Sequence, residues 1–375
     1  MHLLALDWRK AFDSINPDGL LLALRRFGLP EHFLTLVRAI YRDRVFHVSD
    51  SGVTSTEHAQ FAGICQGCPL SPFLFVAVMT VLMKDAYEAL GERASLAAVA
   101  DSSRIGFLFD LLYADDTSII GSQAADVEEL ARAVESSGKQ YGMTLHWGKT
   151  QLLSVRSSKR VRAPDGSLLD ERPSILYLGA LISADGKPDS EISRRIGLAS
   201  AEFRLLKQLW NHANVTKDQK LTFFNSFVVS KLSYALCTMG LTRAQLRRLD
   251  GFHARCLRRI MAIPAAYISR ISNNTVRERA NVQPLSATIA KAQMMLLGRV
   301  GRSDSGSALR RDTLVGGTAT PLIGAYVRRV GRPRQDWTTQ AMAHARSHFA
   351  SAAEFERCLL DKSKSSVTKW RAAFC

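Results

Sequence analysis

The chain has 375 residues, 46% of them apolar and 22% charged, enough for two or three domains of roughly 100 to 200 residues each. That mix excludes wholesale disorder and fibrous repeats. The 50 Lys and Arg outnumber the 34 Asp and Glu, for a net charge of +16, so the protein is strongly basic.

The longest apolar run, residues 73 to 83 with Thr80 inside it, is shorter than the roughly 18 to 20 residues that span a bilayer, so no membrane segment is expected. The N-terminus reaches Asp7 with neither a basic lead nor a long apolar stretch and does not read as a signal peptide. An intracellular protein, nuclear or cytoplasmic, is the expectation. The six cysteines are too sparse for a disulfide framework, and reduced thiols are expected. Cys65 and Cys68 have C-x-x-C spacing, but no second close pair completes a four-ligand zinc site.

In chain order, residues 2 to 6 form an apolar run ending at Asp7, which suits a buried strand delivering an acid at its end. Asn16 caps a helix over 17 to 27, with Pro17 at its first position, and Gly28 and Pro30 stop it. A helix over 31 to 41 and a hairpin over 44 to 61, turning at Ser49 to Gly52, follow. A Gly/Cys/Pro-rich loop, 63 to 72, opens a long apolar helix, about 72 to 90. Apolar segments 105 to 112 and 117 to 121 flank Tyr113-Ala114-Asp115-Asp116 and predict a hairpin with two adjacent acids at its tip. A helix over 124 to 141 and strands over 151 to 155 and 175 to 183 complete an α+β pattern. From Ser190 the pattern is helical: 190 to 212, 216 to 237, 243 to 262 and 285 to 300, a Gly/Ser/Thr-rich linker at 302 to 325, and a last helical segment over 336 to 373.

The charge is divided along the chain. Residues 1 to 150 hold 13 Lys and Arg against 18 Asp and Glu, a net of −5, and residues 151 to 375 hold 37 against 16, a net of +21. A basic half of this size attracts a polyanion by counterion release, and nucleic acid is the commonest such partner. Arg247, Arg248, Arg255, Arg258 and Arg259 recur around Leu246, Leu249, Phe252 and Leu257, an amphipathic helix with a basic stripe that could track a duplex backbone or simply face solvent. Arg328 to Arg334 is a second basic stretch, broken by Gly and Pro, suited to RNA or to a nuclear import patch.

A buried acid pair is costly unless a cation neutralises it. Divalent metal is the economical explanation of Asp115-Asp116, the alternative being an ordinary Asx-rich turn. Mg²⁺ prefers one or two carboxylates plus phosphate oxygens and water, and a two-metal site catalyses in-line phosphoryl transfer. Asp7, ending an apolar strand that could pair beside the hairpin, is the candidate third acid.

These segments together resemble the palm of reverse transcriptases, most closely those of non-LTR, LINE-type retrotransposons. Leu6-Asp7-Trp8-Arg9-Lys10-Ala11-Phe12-Asp13 looks like the family's first catalytic motif, Gln66-Gly67-Cys68-Pro69-Leu70-Ser71-Pro72 its template and nucleotide loop, and Tyr113-Ala114-Asp115-Asp116 its catalytic hairpin. Gly142 with Lys149-Thr150 is similar to the fourth motif, and Tyr177-Leu178-Gly179 to the primer-grip hairpin. The resemblance covers about residues 2 to 185 and continues weakly through the arginine-rich helix, like a LINE-type thumb, and through Gly331-Arg332-Pro333-Arg334 with Trp337. One YADD recurs by chance; five ordered motifs are specific.

The resemblance implies a polymerase palm, an antiparallel sheet with packed helices, over 1 to 185, a helical basic thumb over 186 to 265, and a basic helical C-terminal region over 266 to 375. It implies that Asp7, Asp115 and Asp116 bind two Mg²⁺ ions, with Mn²⁺ as a substitute, and that Lys149 neutralises or protonates leaving pyrophosphate. Phe12 falls where the family crowds the sugar 2′ position, Gln66 and Gly67 where it contacts nucleotide or template, and Tyr113 near the primer terminus. Core packing is the alternative for Phe12 and Tyr113, and simple packing is expected of Cys68. Asp13 reads as a helix-side cap. Implied partners are an RNA template, a DNA primer and deoxynucleoside triphosphates. Only six residues precede Asp7, so the fingers are expected to be absent. Two readings result: an RNA-directed DNA polymerase domain, or an inactive fragment that binds RNA or RNA/DNA hybrid.

Overall fold

The structure, a computed structural model, describes residues 1–91, 108–304, 306–322 and 336–374. The basic stretch Arg328 to Arg334, residues 305 and 323 to 325 of the linker, and the start of the segment expected at 105 lie outside those residues. The chain divides into two compact units, Met1–Gly186 and Lys187–Cys375.

In the front unit, strands β1 (His2–Leu6), β6 (Leu108–Tyr113), β7 (Asp116–Gly121) and β8 (Gln151–Ser154) form an antiparallel sheet in the order β6-β7-β1-β8. Between β1 and β6 lie two-residue ladders, β2 (Val45–Phe46) with β5 (His58–Ala59) and β3 (Ser49–Asp50) with β4 (Val53–Thr54), which make the expected hairpin. The register explains why β1 is apolar without alternation. Leu4 pairs with Ile119 and Leu152, and Leu3 with Ile120 and Leu153. The first trio enters the main core with the helices Pro17–Phe27, Ser71–Leu90 and Ala124–Gln140, and the second a smaller core on the other face. That face is covered by the hairpin β9 (Ser174–Tyr177) and β10 (Ala180–Ser183), through Ile175 and Ile182. A strand buried on both faces carries apolar side chains on both, and the one polar residue of β1, buried His2, is satisfied by a hydrogen bond between its Nδ1 and Ser154 Oγ.

Local signals place the boundaries. Asn16 accepts a hydrogen bond from the Gly19 N–H, and Gly28 ends that helix at φ 100°. Gly142 turns the chain at φ 83°, and a Cβ there would lie 2.5 Å from the Ser14 carbonyl oxygen, so glycine is required twice over.

The second unit is helical, with two cores joined by the helix Leu285–Arg302: Leu285 and Ile289 belong to one, Met294 and Leu297 to the other. The expected thumb and C-terminal region therefore lie together in this unit. Three expected helices are interrupted. Residues 190 to 212 form Asp189–Leu205 and Lys207–Asn211, and 216 to 237 contain a π-helical turn, Phe224–Val229. The last segment is three helices, Trp337–Arg346, Ala352–Leu360 and Lys364–Ala372. Ser351 and Ser363 cap the second and third by accepting from Glu354 and Ser366 N–H groups. Those serines were the legible break signals in a stretch whose apolar period continues through them.

Candidate active site at the end of the palm sheet

The acids are brought together by register alone. Tyr113 pairs with Asp116 at the tip of the β6–β7 hairpin, with Ala114 at φ 54° in the turn. Leu6 pairs with Thr117, so Asp7, one residue beyond, comes out beside Asp116. Three fixations hold that end. Trp8 Nε1 donates to Thr117 Oγ1 at 3.0 Å, His146 N donates to the Asp7 carbonyl at 2.7 Å, and Arg9 N donates to the Thr144 carbonyl at 2.9 Å.

The sequence suggested a buried pair; instead Asp115 and Asp116 are exposed at the sheet end, and Asp7 is partly so. The hairpin tip projects beyond the core, so hydration meets much of the cost that burial would impose. Mutual charge remains. The Asp116 carboxyl is raised above the ordinary aspartate range, first by partial burial and then by the charges of Asp115 and Asp7. Lys149 offers the neighbouring positive charge, its Nζ 4.0 Å from Asp7 Oδ2. Among the described residues, no three His, Cys, Asp or Glu side chains are gathered into a ready-made metal chelate. The donor set nonetheless fits a hard divalent cation: carboxylate oxygens, a charge excess at one point, and open solvent where phosphate and water would complete the shell.

The other candidates surround this point unevenly. Phe12 is half-buried and stacks on fully buried Phe75, with ring centroids 4.3 Å apart and planes 12° from parallel. It is thus part of the core wall. Gln66 Nε2 donates to Asp13 Oδ1 at 3.2 Å, which ties the Gly/Cys/Pro-rich loop to the segment after Asp7. Asp13, read as a cap, is a loop anchor. Gly67 sits at φ 87° with open space where a Cβ would be. Tyr113 is 66% exposed, so its ring is available rather than packed. Tyr177 was legible only through motif order; burial raises its phenol, an interaction with the Ser118 side chain opposes this, and the Asp116 charge raises it. His146, whose N–H holds Asp7 and whose Nδ1 is buried without a partner among the described residues, carried no sequence signal.

The arginine stripe needs one correction. On the helix Arg243–Ile260, capped by Thr242 and Gln245, residues Arg247, Arg248, Arg255 and Arg259 are exposed, but Arg258 is 6% exposed. Its guanidinium turns inward, donating to the carbonyls of Pro264 at 3.1 Å and Ile271 and to Asn273 Oδ1. Arg258 is a structural clamp because the chain after the helix, from Pro264 to Asn273, folds onto its guanidinium. His344 and His348 pack ring against ring, and His348 also meets Phe374.

Residues 1–182 match the family model described as reverse transcriptase (RNA-dependent DNA polymerase). The chain is 24% identical over 290 residues to a retrovirus-related Pol polyprotein from the type-1 retrotransposable element R2 of Popillia japonica, 74% of this chain and 45% of that protein. It is 25% identical over 275 residues to the RNA-directed DNA polymerase from the mobile element jockey of Drosophila melanogaster, 69% and 28%. By these matches residues 1–182 are similar to reverse transcriptase domains, those of the R2 and jockey retrotransposable elements among them. The chain spans less than half the length of these curated relatives. Among solved structures it is similar to apo telomerase from Candida tropicalis, 14% identical with a TM-score of 0.37, covering 79% of this chain and 50% of that one. Telomerase from Candida albicans with a telomeric RNA fragment gives 11%, 0.36, 80% and 47%. Among the described residues no helix is long and apolar enough to cross a membrane.

Proposed function

We propose that the chain is the palm and thumb portion of an RNA-directed DNA polymerase, extending a primer 3′-hydroxyl on an RNA template with deoxynucleoside triphosphates. The observation that carries this reading is the meeting of Asp7, Asp115 and Asp116 at one sheet end, where Asp116 feels the charges of the other two. Asp7, Asp115 and Asp116 would hold two Mg²⁺ ions, or Mn²⁺, which when bound supply an acidified hydroxyl and charge neutralisation on the triphosphate. Lys149, already beside Asp7, offsets negative charge on the departing pyrophosphate. Gln66 and Gly67, exposed in their turn, contact the nucleotide or template, Phe12 walls the sugar's 2′ side with Phe75 behind it, and exposed Tyr113 meets the primer end. Arg247, Arg248, Arg255 and Arg259 bind duplex phosphates.

The test is primer extension by the purified chain on poly(rA)/oligo(dT) with Mg²⁺, beside Asp115→Asn and a binding assay at two salt concentrations. The expected result is extension that the substitution lowers by about a thousandfold or more, with affinity kept within a few-fold because a metal-holding acid is not a phosphate contact. Tight, salt-sensitive binding with no extension would replace this reading by that of a fragment that binds nucleic acid without chemistry.

A further inference from the structure

The C-x-x-C pair is unused by the reading above, and its surroundings are specific. Gln66 and Gly67 form a turn between Cys65 and Cys68, with Gly67 at the positive φ that the third residue of a type II turn requires. Such a turn holds the first and fourth Cα atoms within about 7 Å, which overlaps the roughly 4.4 to 6.8 Å of disulfide-bonded pairs. Both thiols are free and partly solvent-accessible.

The two sulfurs differ in a useful way. Cys68 precedes the helix Ser71–Leu90, and the backbone N–H of Leu70 foremost, with that of Ser71 also contributing, lowers its thiol below the ordinary range. Cys65 is held in place: Arg44 Nη1 donates to its Sγ at 2.8 Å and Nη2 to the Gly63 carbonyl at 2.6 Å, with the guanidinium 4.3 Å from the Tyr41 ring centroid. Arg44 Nε is buried with no partner among the described residues, so this guanidinium has no carboxylate to draw it elsewhere. An accessible, acidified thiol beside a positioned second thiol is the arrangement of redox-sensing cysteine pairs.

We propose that Cys65 and Cys68 are a peroxide-sensitive dithiol that closes to a disulfide across the Gln66–Gly67 turn. The Cys68 thiolate attacks hydrogen peroxide, the O–O bond breaks, and hydroxide leaves and takes up the proton the thiol had released, forming water and a Cys68 sulfenic acid. The Cys65 sulfur then attacks the Cys68 sulfur; the S–S bond forms, the S–O bond breaks, and a second water carries away the Cys65 proton. Two thiols are oxidised and one peroxide is reduced to two waters. Closure ties the ends of the turn; that this immobilises a nucleotide-contacting loop rests on the polymerase reading, but the thiol chemistry does not.

The experiment treats the full chain with near-stoichiometric hydrogen peroxide at neutral pH and follows each cysteine by dimedone and iodoacetamide labelling with mass spectrometry. Half-buried Cys237, its thiol raised by burial, and buried Cys256, raised to about 12, are internal references. The expected result is a peptide containing both Cys65 and Cys68 that is lighter by two hydrogens and restored by dithiothreitol, with Cys68 reacting about tenfold faster than Cys237. Cys65→Ser should trap a dimedone-reactive sulfenic acid on Cys68, and Cys68→Ser should leave Cys65 largely unoxidised. Cys68 reacting no faster than Cys237, or pairing with a cysteine other than Cys65, would overturn the proposal. Primer extension is measured alongside; a reduced chain without extension counts against the polymerase reading alone, because the labelling result is read independently of it.

Discussion

Asp116 shows how one residue records the design of the site. Its carboxyl is raised by partial burial and by two neighbouring acids, so the folded state binds a proton more tightly than the unfolded state does. Stability therefore falls as pH rises from the unfolded aspartate range through the raised value, and the penalty persists at neutrality. Asp116→Asn should melt at a higher temperature than the parent at pH 7, and the two should converge below about pH 3, where the carboxyl is protonated in both states; a gain equally large in acid would refute the electrostatic origin. Millimolar Mg²⁺ should raise the parent's melting temperature through preferential binding to the folded state, an effect the double substitution Asp7→Asn/Asp115→Asn removes. This calorimetric readout needs no activity.

The helix Arg243–Ile260 carries four exposed arginines and one buried arginine, and the two kinds should fail differently. Arg258→Ala strips hydrogen bonds from the Pro264 and Ile271 carbonyls and should cost about 2 to 4 kcal/mol in urea denaturation, with nucleic-acid affinity changed only through unfolding. Changing Arg247 or Arg259 to Gln should leave stability within about 0.5 kcal/mol. The same helix holds a buried titratable group, His253, pushed down to about 4 chiefly by burial, with Arg277 also lowering it against the opposing pull of Asp250. Its proton binds more readily in the unfolded chain, so the second unit should be most stable above about pH 6.5 and lose up to roughly 3 kcal/mol as pH falls toward 4. His253→Phe should flatten that acid limb of the stability profile; an unchanged limb would assign it to other groups.

At the scale of the whole molecule, the two units differ in the sign of their charge. Met1–Gly186 holds 18 Lys and Arg against 22 Asp and Glu, a net of −4, and Lys187–Cys375 holds 32 against 12, a net of +20. An acidic unit with clustered carboxylates suits cations, and a basic one suits phosphates. If the four exposed arginines each contact one phosphate, affinity for an RNA/DNA hybrid should fall roughly a hundredfold between 50 and 200 mM salt, and each Arg→Gln change should reduce the salt slope by about one. Fluorescence anisotropy across a salt series tests this, and a slope unaltered by all four changes would move the interface elsewhere.

The front sheet was legible because its signals are local or ordered along the chain. An unalternating apolar run ending in Asp7, two apolar segments around Tyr113 to Asp116, and a helix cap at Asn16 each require only neighbouring residues and the periods of strand and helix. Exposure was not legible, since it depends on where the core ends: the YADD tip projects past the core, whereas Arg258, alike in sequence to Arg259, is buried by the residues from Pro264 to Asn273 that take its hydrogen bonds. Equally out of reach were contacts that join distant segments, such as His146 on Asp7 and Arg44 on Cys65, which no spacing rule encodes. Periodicity sets which residues share a face of an element; only packing decides which face meets water, because burial is settled by the neighbours that the rest of the chain brings.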